Sequence, residues 1–129
     1  MIVDSSAILA IVFQEPGFEI VLEKMSQAPA VIIGTPTLAE IGIVLHARLG
    51  ADADGMAERM IDELGIVESA FTDAHWREAV DAFRRFGKGR HPANLEFGDC
   101  LTYAVASISE QPLLCVGDDF RKTDLTLLE

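Results

Sequence analysis

Four short apolar runs, rich in β-branched residues, set the limits on this fold. They are MIV at the amino terminus, VIIG at 31–34, IVES at 66–69 and PLLCV at 112–116. Each is too short for a helix and is bounded by turn or capping residues, so each reads as a buried strand. Helix-patterned segments lie between them: SSAILAIVF, FEIVLEKMSQA, TLAEIGIVLHARL, a stretch near 54–64, DAHWREAVDAFRRF and DCLTYAVASIS. Ser5 or Ser6 is placed to cap the first helix, and Thr35 ahead of Pro36 the third. Asp99 opens the last helix. TDLTLL at the carboxyl end is a candidate further strand. Strands that alternate with helices predict an α/β class: three layers, α/β/α, around a mainly parallel central sheet of four to five strands. With no internal repeat, 129 residues predict a single domain over 1–129.

Half of the residues are hydrophobic, which excludes a disordered chain. No apolar run approaches the roughly 18 residues of a membrane span. MIVDSS has no basic leader, and the two cysteines, Cys100 and Cys115, suit free thiols in a reducing compartment. A cytoplasmic protein without a membrane partner is expected. The three histidines, His46, His75 and His91, show no metal-type spacing. Asp and Glu number 21 against 10 Lys and Arg, a formal net charge of -11. That charge disfavours nonspecific attraction to polyanions, although local cations or a bound divalent ion can reverse the field where it matters.

The acids fall where parallel sheets bind ligands, beyond the carboxyl ends of strands. Asp4 ends the first strand, and Asp118 and Asp119 follow the fourth. Asp99 starts the helix that leads into the fourth strand. Glu40 sits on the third helix among Thr37, Ile41, Ile43 and Val44, where an unpaired ionised carboxylate is costly. Taken singly, Asp4 and Asp99 read as helix caps, GDDF as a turn and Glu40 as a helix-edge residue. Taken together, acids on separate elements near one edge point to hard oxygen ligands for Mg²⁺ or Mn²⁺. One such ion acidifies a water and offsets charge on a phosphoryl oxygen, and two about 4 Å apart clamp both reacting oxygens. No GxxxxGK[ST] cradle is present.

With these residues in place, the chain resembles the PIN-domain ribonucleases, and in particular the VapC-type toxins of type II toxin–antitoxin pairs. IVDSSAILAIVFQEPG resembles their first motif, TPTLAEIGIVL the second, LEFGDCLTYAVA the third and LLCVGDDFRKTDL the fourth, so nearly the whole chain is covered. The resemblance implies a single PIN-like nuclease domain with Asp4, Asp99 and Asp119 as ligands of Mg²⁺ or Mn²⁺. Glu40 acts directly or through water, and Ser6 supports a carboxylate or a water. Where relatives often carry a hydroxyl residue and then an acid, this chain has Cys115 and Gly117, so Asp118 stands as the alternative fourth acid. The implied activity is metal-dependent hydrolysis of phosphodiester bonds in single-stranded or looped RNA of the tRNA or rRNA class. The implied partners are the RNA, a cognate VapB-type antitoxin and a second copy of the chain.

Four of the ten cations, Arg84, Arg85, Lys88 and Arg90, fall within seven residues just before Asp99. With Arg121 they are candidate phosphate contacts; the plain alternative is a solvated helix end with cations near its C-terminus. Trp76, Val80 and Phe83 share one side of their helix at core spacing and are expected in packing or a dimer contact. Two rival enzymes fit poorly. A haloacid-dehalogenase-type phosphatase needs a second Asp where Ser6 stands, and a receiver domain needs paired acids near its first strand. The retained alternative is a catalytically inactive PIN-like module that binds a partner.

Overall fold

The computed structural model describes residues 1–128. Its order is β1 (Ile2–Val3), α1 (Ser5–Val12), α2 (Phe18–Gln27), β2 (Val31–Gly34), α3 (Thr35–Leu49), a 3-10 turn (Gly50–Ala53), α4 (Met56–Leu64), β3 (Ile66–Ser69), α5 (Asp73–Phe86), α6 (Phe97–Ser109) and β4 (Leu113–Leu114). The strands form one sheet in the order β3-β2-β1-β4, and every pair is parallel. TDLTLL does not become a full fifth strand. It makes one parallel bridge, Leu113 to Leu127, with the Leu113 and Leu128 amides supplying the hydrogen bonds.

Alternation along the strands sorts the core into two layers. Val3, Val31, Ile33 and Leu114 point to one face, where Ala7, Ile8, Val21, Met25, Ile41 and Leu45 of α1, α2 and α3 cover them. Ile2, Ile32 and Leu113 point to the other face, under α5, α6 and Phe120. This is the expected three-layer α/β/α arrangement. No helix among the described residues is long and apolar enough to cross a membrane.

Several local expectations change. The cap of α1 is Asp4, whose Oδ2 accepts the Ser6 amide at 3.1 Å; neither serine caps it. Gly34 precedes α3 with no side-chain cap, and Thr35 is already helical. A methyl at Gly34 would stand 2.8 Å from Val105 Cγ2, so the close approach of the end of β2 to α6 favours a residue without Cβ. α6 begins at Phe97, two residues before Asp99, because Glu96 and Asp99 form a reciprocal capping box. On α5 the face towards the core is Ala79 and Ala82, which lets the helix pack closely on α6. Trp76, Val80 and Phe83, at core spacing in the sequence, are instead exposed.

A candidate active site at the carboxyl edge of the sheet

The strand order reverses at β1. The chain runs outward from β1 through β2 to β3, then returns to place β4 on the other side of β1. The crevice between the ends of β1 and β4 is therefore the switch point at which open parallel sheets bind ligands. Asp4 stands at the end of β1, and Cys115 directly follows β4.

Three of the candidate acids, Glu40, Asp99 and Asp119, line one polar cleft of about 270 Å³ with Asn94, Glu96 and Gly98. Asp4 lies behind them and is buried. Its negative charge still acts on both Asp99 and Cys115, so it belongs to the same electrostatic neighbourhood. Asp118 points away: its side chain is 87% exposed and pairs with Arg121 at 2.8 Å. Of the two acids in GDDF, the fold puts Asp119 in the cleft.

Local structure sets Asp4, Asp99 and Glu40. Asp4 Oδ1 accepts the Thr102 hydroxyl at 2.8 Å, and Thr37 Oγ1 lies 3.3 Å from the same hydroxyl. Both threonines are buried. Thr102 is one turn beyond Asp99 on α6 and Thr37 one turn before Glu40 on α3, so two acidic helices meet through a hydroxyl pair that also fixes Asp4. Nothing in the sequence singles out these threonines except their i, i+3 spacing from each acid. Asp99 Oδ2 accepts the Glu96 amide at 3.0 Å. Glu40 lies against Gly98, where an added Cβ would stand 2.6 Å from its Oε2. Gly98 therefore lets α6 approach the Glu40 carboxylate. The Ser6 hydroxyl accepts the Val116 amide at 3.0 Å and ties the exit of β4 to the first turn of α1, while its amide donates to Asp4.

The four candidate acids have no cationic partner of their own. Among the described residues no Lys or Arg pairs with Asp4, Glu40, Asp99 or Asp119. Burial, with the charges of Asp119 and Asp4, pushes the Asp99 carboxyl up to about 6 against the opposing hydrogen bond from Glu96. Burial first, and then the charges of Asp4 and Asp119, push the Cys115 thiol up to about 11. This donor set is all carboxylate oxygen with no internal counter-charge, which fits a hard divalent cation. The fit lies in donor chemistry and electrostatics. Among the described residues no three His, Cys, Asp or Glu side chains stand together in a ready-made ligand cluster.

The basic stretch is mostly committed to acids. Arg84 pairs with Asp81 at 2.9 Å, and Arg85 with Asp124 at 2.7 Å. Lys88 pairs with Glu96 at 3.2 Å, which puts its ammonium on the rim of the acid cleft. Arg90 has no acidic partner among the described residues and lies over the Phe83 ring. The loop between α5 and α6 is anchored by buried Ala93 and Leu95 and by the bridge from Gly87 to Leu95. Asn94, at φ 58°, accepts the Gly89 amide and sits at the cleft wall.

Comparison with known proteins agrees with this fold. The PIN domain profile matches residues 1–125. Ribonuclease VapC36 of Mycobacterium tuberculosis is 48% identical over 126 residues, which is 97% of this chain and 91% of that one. Ribonuclease VapC42 of the same organism is 36% identical, with 97% and 96% covered. Among solved structures, the M. tuberculosis VapC20 toxin, described as cleaving the sarcin–ricin loop, superposes with a TM-score of 0.80 at 17% identity, over 99% and 98% of the two chains. VapBC2 from Rickettsia felis, bound to a DNA fragment of its promoter, superposes with a TM-score of 0.77 at 12% identity, over 99% and 96%.

Proposed function

The chain belongs to the PIN-domain family, and we propose that it is the toxin of a type II toxin–antitoxin pair, an endoribonuclease that hydrolyses phosphodiester bonds in single-stranded or looped RNA. The observation that carries the reading is the cleft of Glu40, Asp99 and Asp119 backed by Asp4, with no cation of its own, at the switch point of a parallel sheet. An acid cluster without counter-charge is destabilising in isolation, and a cationic ligand relieves it.

Asp4, Asp99 and Asp119 are the residues assigned to hold Mg²⁺ or Mn²⁺, which when bound supplies the Lewis acidity that activates water and offsets charge on the phosphoryl group. The protein supplies the rest. Thr102 fixes the Asp4 carboxylate through Oδ1, and the Ser6 amide fixes it through Oδ2. The capping box holds Asp99 in the first turn of α6, where a helix N-terminus favours the anionic form. Glu40, across from Gly98, is assigned to orient the attacking water and accept its proton. Lys88 on the rim is placed to steady a neighbouring phosphate.

The partners follow from this reading: a tRNA- or rRNA-class substrate, a cognate VapB-type antitoxin and a second copy of the chain, in the cytoplasm. The sarcin–ricin loop named for one structural relative is one rRNA substrate to try. Purified protein should cleave tRNA or rRNA when Mg²⁺ or Mn²⁺ is added, and Asp4→Asn should not. Cleavage by wild type no greater than by Asp4→Asn, across both substrate classes, would return the chain to a PIN-like partner-binding module.

A further inference from the structure

Behind the acid cleft a short polar chain is sealed inside an otherwise apolar interior. Asp4, Thr37 and Thr102 are 5%, 3% and 1% exposed. Apart from Tyr103 and Cys100, no other buried residue among those described has a polar side chain. The three form one hydrogen-bonded series. The Thr102 hydroxyl donates to Asp4 Oδ1 at 2.8 Å, and Thr37 Oγ1 lies 3.3 Å from Thr102 Oγ1. With the Thr102 hydrogen given to a carboxylate, which only accepts, the Thr102 oxygen is the acceptor for Thr37. The series therefore runs one way, from Thr37 on α3 through Thr102 on α6 to Asp4 at the end of β1. Two valines would fill nearly the same volume without burying a hydroxyl. Thr37 touches none of the acids through this series, and none of the steps above uses it.

We infer that Thr37 and Thr102 are positioning residues for the divalent ion, a two-hydroxyl relay that orients Asp4 and fixes the helices bearing Glu40 and Asp99 relative to it. This inference rests on the metal-dependent reading of the cleft and deepens it. Among the described residues the acids do not form a ready-made ligand cluster, so affinity for an ion depends on how their supporting elements are held. Asp4 is fixed from both oxygens, by Thr102 at Oδ1 and by the Ser6 amide at Oδ2, and each oxygen keeps a further lone pair. Helices α3 and α6 meet at the relay and again one turn on, where Glu40 lies against Gly98. The relay thus sets two placements together, Asp99 against Asp4 and Glu40 against Asp99. Hydroxyls in series polarise one another in a dry interior, so Thr37 strengthens the bond that Thr102 makes to Asp4. Groups that hold metal ligands in this way change metal affinity on the order of 10–100-fold. Both threonines are sealed from solvent, so the role does not depend on what covers the surface. The ordinary alternative is a pair that only stabilises the packing of α3 on α6, and the test separates the two.

The experiment titrates the metal-stripped protein with Mn²⁺ by calorimetry and follows its unfolding by denaturant in EDTA. Thr102→Val should weaken Mn²⁺ binding about tenfold or more. Thr37→Val should weaken it a few-fold, although the residue is one hydroxyl removed from any ligand. The double variant should bind no more weakly than Thr102→Val alone, because without the Thr102 hydroxyl Thr37 has no path to Asp4. Thr37→Ser and Thr102→Ser keep the hydroxyls and should bind Mn²⁺ nearly as wild type does, while losing some stability with the buried methyl group. Cleavage of RNA by Thr37→Val should be impaired at limiting Mn²⁺ and recover at excess, with KM for RNA unchanged. If both valine variants bind Mn²⁺ as wild type does and lose only stability in EDTA, the pair is packing, and the inference fails while the metal centre stands. If the two single losses add in the double variant, the threonines act separately and the relay is refuted. Should Thr102→Val not fold, Thr37→Val against Thr37→Ser decides, and equal affinities overturn the inference. Wild type that binds Mn²⁺ but cleaves no RNA would remove the ribonuclease reading and leave the relay to be judged by affinity. Wild type that binds no Mn²⁺ would overturn both.

Discussion

Asp99 and Asp124 are chemically identical, and the fold treats them oppositely. Asp99 faces a cleft of other acids and pairs with no cation among the described residues; burial and its neighbours' charges push it up to about 6. Asp124 lies in the carboxyl-terminal segment between Arg85 Nη2 at 2.7 Å and the Tyr103 hydroxyl at 2.5 Å. Burial works to raise Asp124, but the hydrogen bonds from Tyr103 and Arg85 outweigh it and hold the carboxyl below its ordinary value. One aspartate closes a structural lock that fastens the last residues onto α5 and α6. The other is held in an arrangement that costs the free protein stability. The fold gathers Asp99 among other acids at the switch point and gives Asp124 two hydrogen-bonding partners, and that contrast separates a residue kept for chemistry from one kept for stability.

The largest expected effect breaks the contrast at Asp99. Asp99→Asn keeps an oxygen to accept the Glu96 amide but removes the charge. Cleavage should fall by on the order of a hundredfold or more, since a divalent centre contributes several kcal/mol to such reactions. Stability should move the other way. Because the folded carboxyl of Asp99 titrates above its unfolded value of 3.8, the native state holds its proton to higher pH than the unfolded chain does. The free protein therefore loses stability as pH rises from 3.8 through about 6, and the penalty is complete above that. After solvent screening the penalty is on the order of 1–2 kcal/mol. Chemical denaturation in EDTA should show Asp99→Asn more stable than wild type at pH 8 and equal to it near pH 4. Added Mn²⁺ should raise the melting temperature of wild type far more than that of the variant. A variant less stable than wild type at pH 8 would contradict the strain assigned to this cluster.

The next effect breaks the contrast from the other side. Tyr103→Phe keeps the buried ring and removes only the hydroxyl that reaches Asp124. It should lower stability by about 1 kcal/mol at pH 7 and leave cleavage intact. Asp124 has a depressed folded value, so its contribution is present above 3.8 and is lost as pH falls through the folded value. The difference between Tyr103→Phe and wild type should thus shrink in strong acid, where Asp99 no longer penalises either protein. Loss of cleavage with unchanged unfolding would place Tyr103 in the active site and dissolve the distinction.

Much of this architecture is legible in the sequence, and the exceptions have physical causes. VIIG, IVES and DAHWREAVDAFRRF carry their observed bounds in the sequence, because β-branched runs and helical periodicity are local signals. The acids of the cleft stand out because Asp4 and Asp119 follow strands and Asp99 lies in the first turn of a helix, all near one sheet edge, while Glu40 is betrayed by its apolar neighbours. What the sequence does not yield depends on partners distant along the chain. Thr102 reaches Asp4 across 98 positions and Arg85 reaches Asp124 across 39, and neither pairing leaves a local trace. The stripe of Trp76, Val80 and Phe83 has the spacing of a core face, but Ala79 and Ala82 take that place because small residues bring α5 onto α6. TDLTLL has strand composition but gains only one bridge beside β4, a strand two residues long.

The same division runs through the cations and sets the smallest expected effect. In the sequence, Arg84, Arg85, Lys88 and Arg90 form one basic cluster. In the fold Arg84 is paired with Asp81, and Arg85 belongs to the Asp124 lock. Lys88 is held only by Glu96, in a pair whose side chains are 62% and 65% exposed, and such pairs contribute little and exchange readily. Arg90 has no acidic partner among the described residues. A phosphate arriving at the acid cleft would therefore find Lys88 and Arg90 available and Arg84 occupied. Charge reversal at Lys88 or Arg90 should weaken binding of single-stranded RNA a few-fold at moderate salt. It should also flatten the dependence of log affinity on log salt by about 0.7 for each phosphate no longer neutralised. Arg84→Glu should change neither, beyond the loss of one exposed helix pair. The measurement is a salt titration of RNA affinity for the three variants in a cleavage-deficient background. Equal slopes for Lys88→Glu and Arg84→Glu would mean that the cluster acts as a diffuse field, and that pairing in the fold does not decide which cations meet RNA.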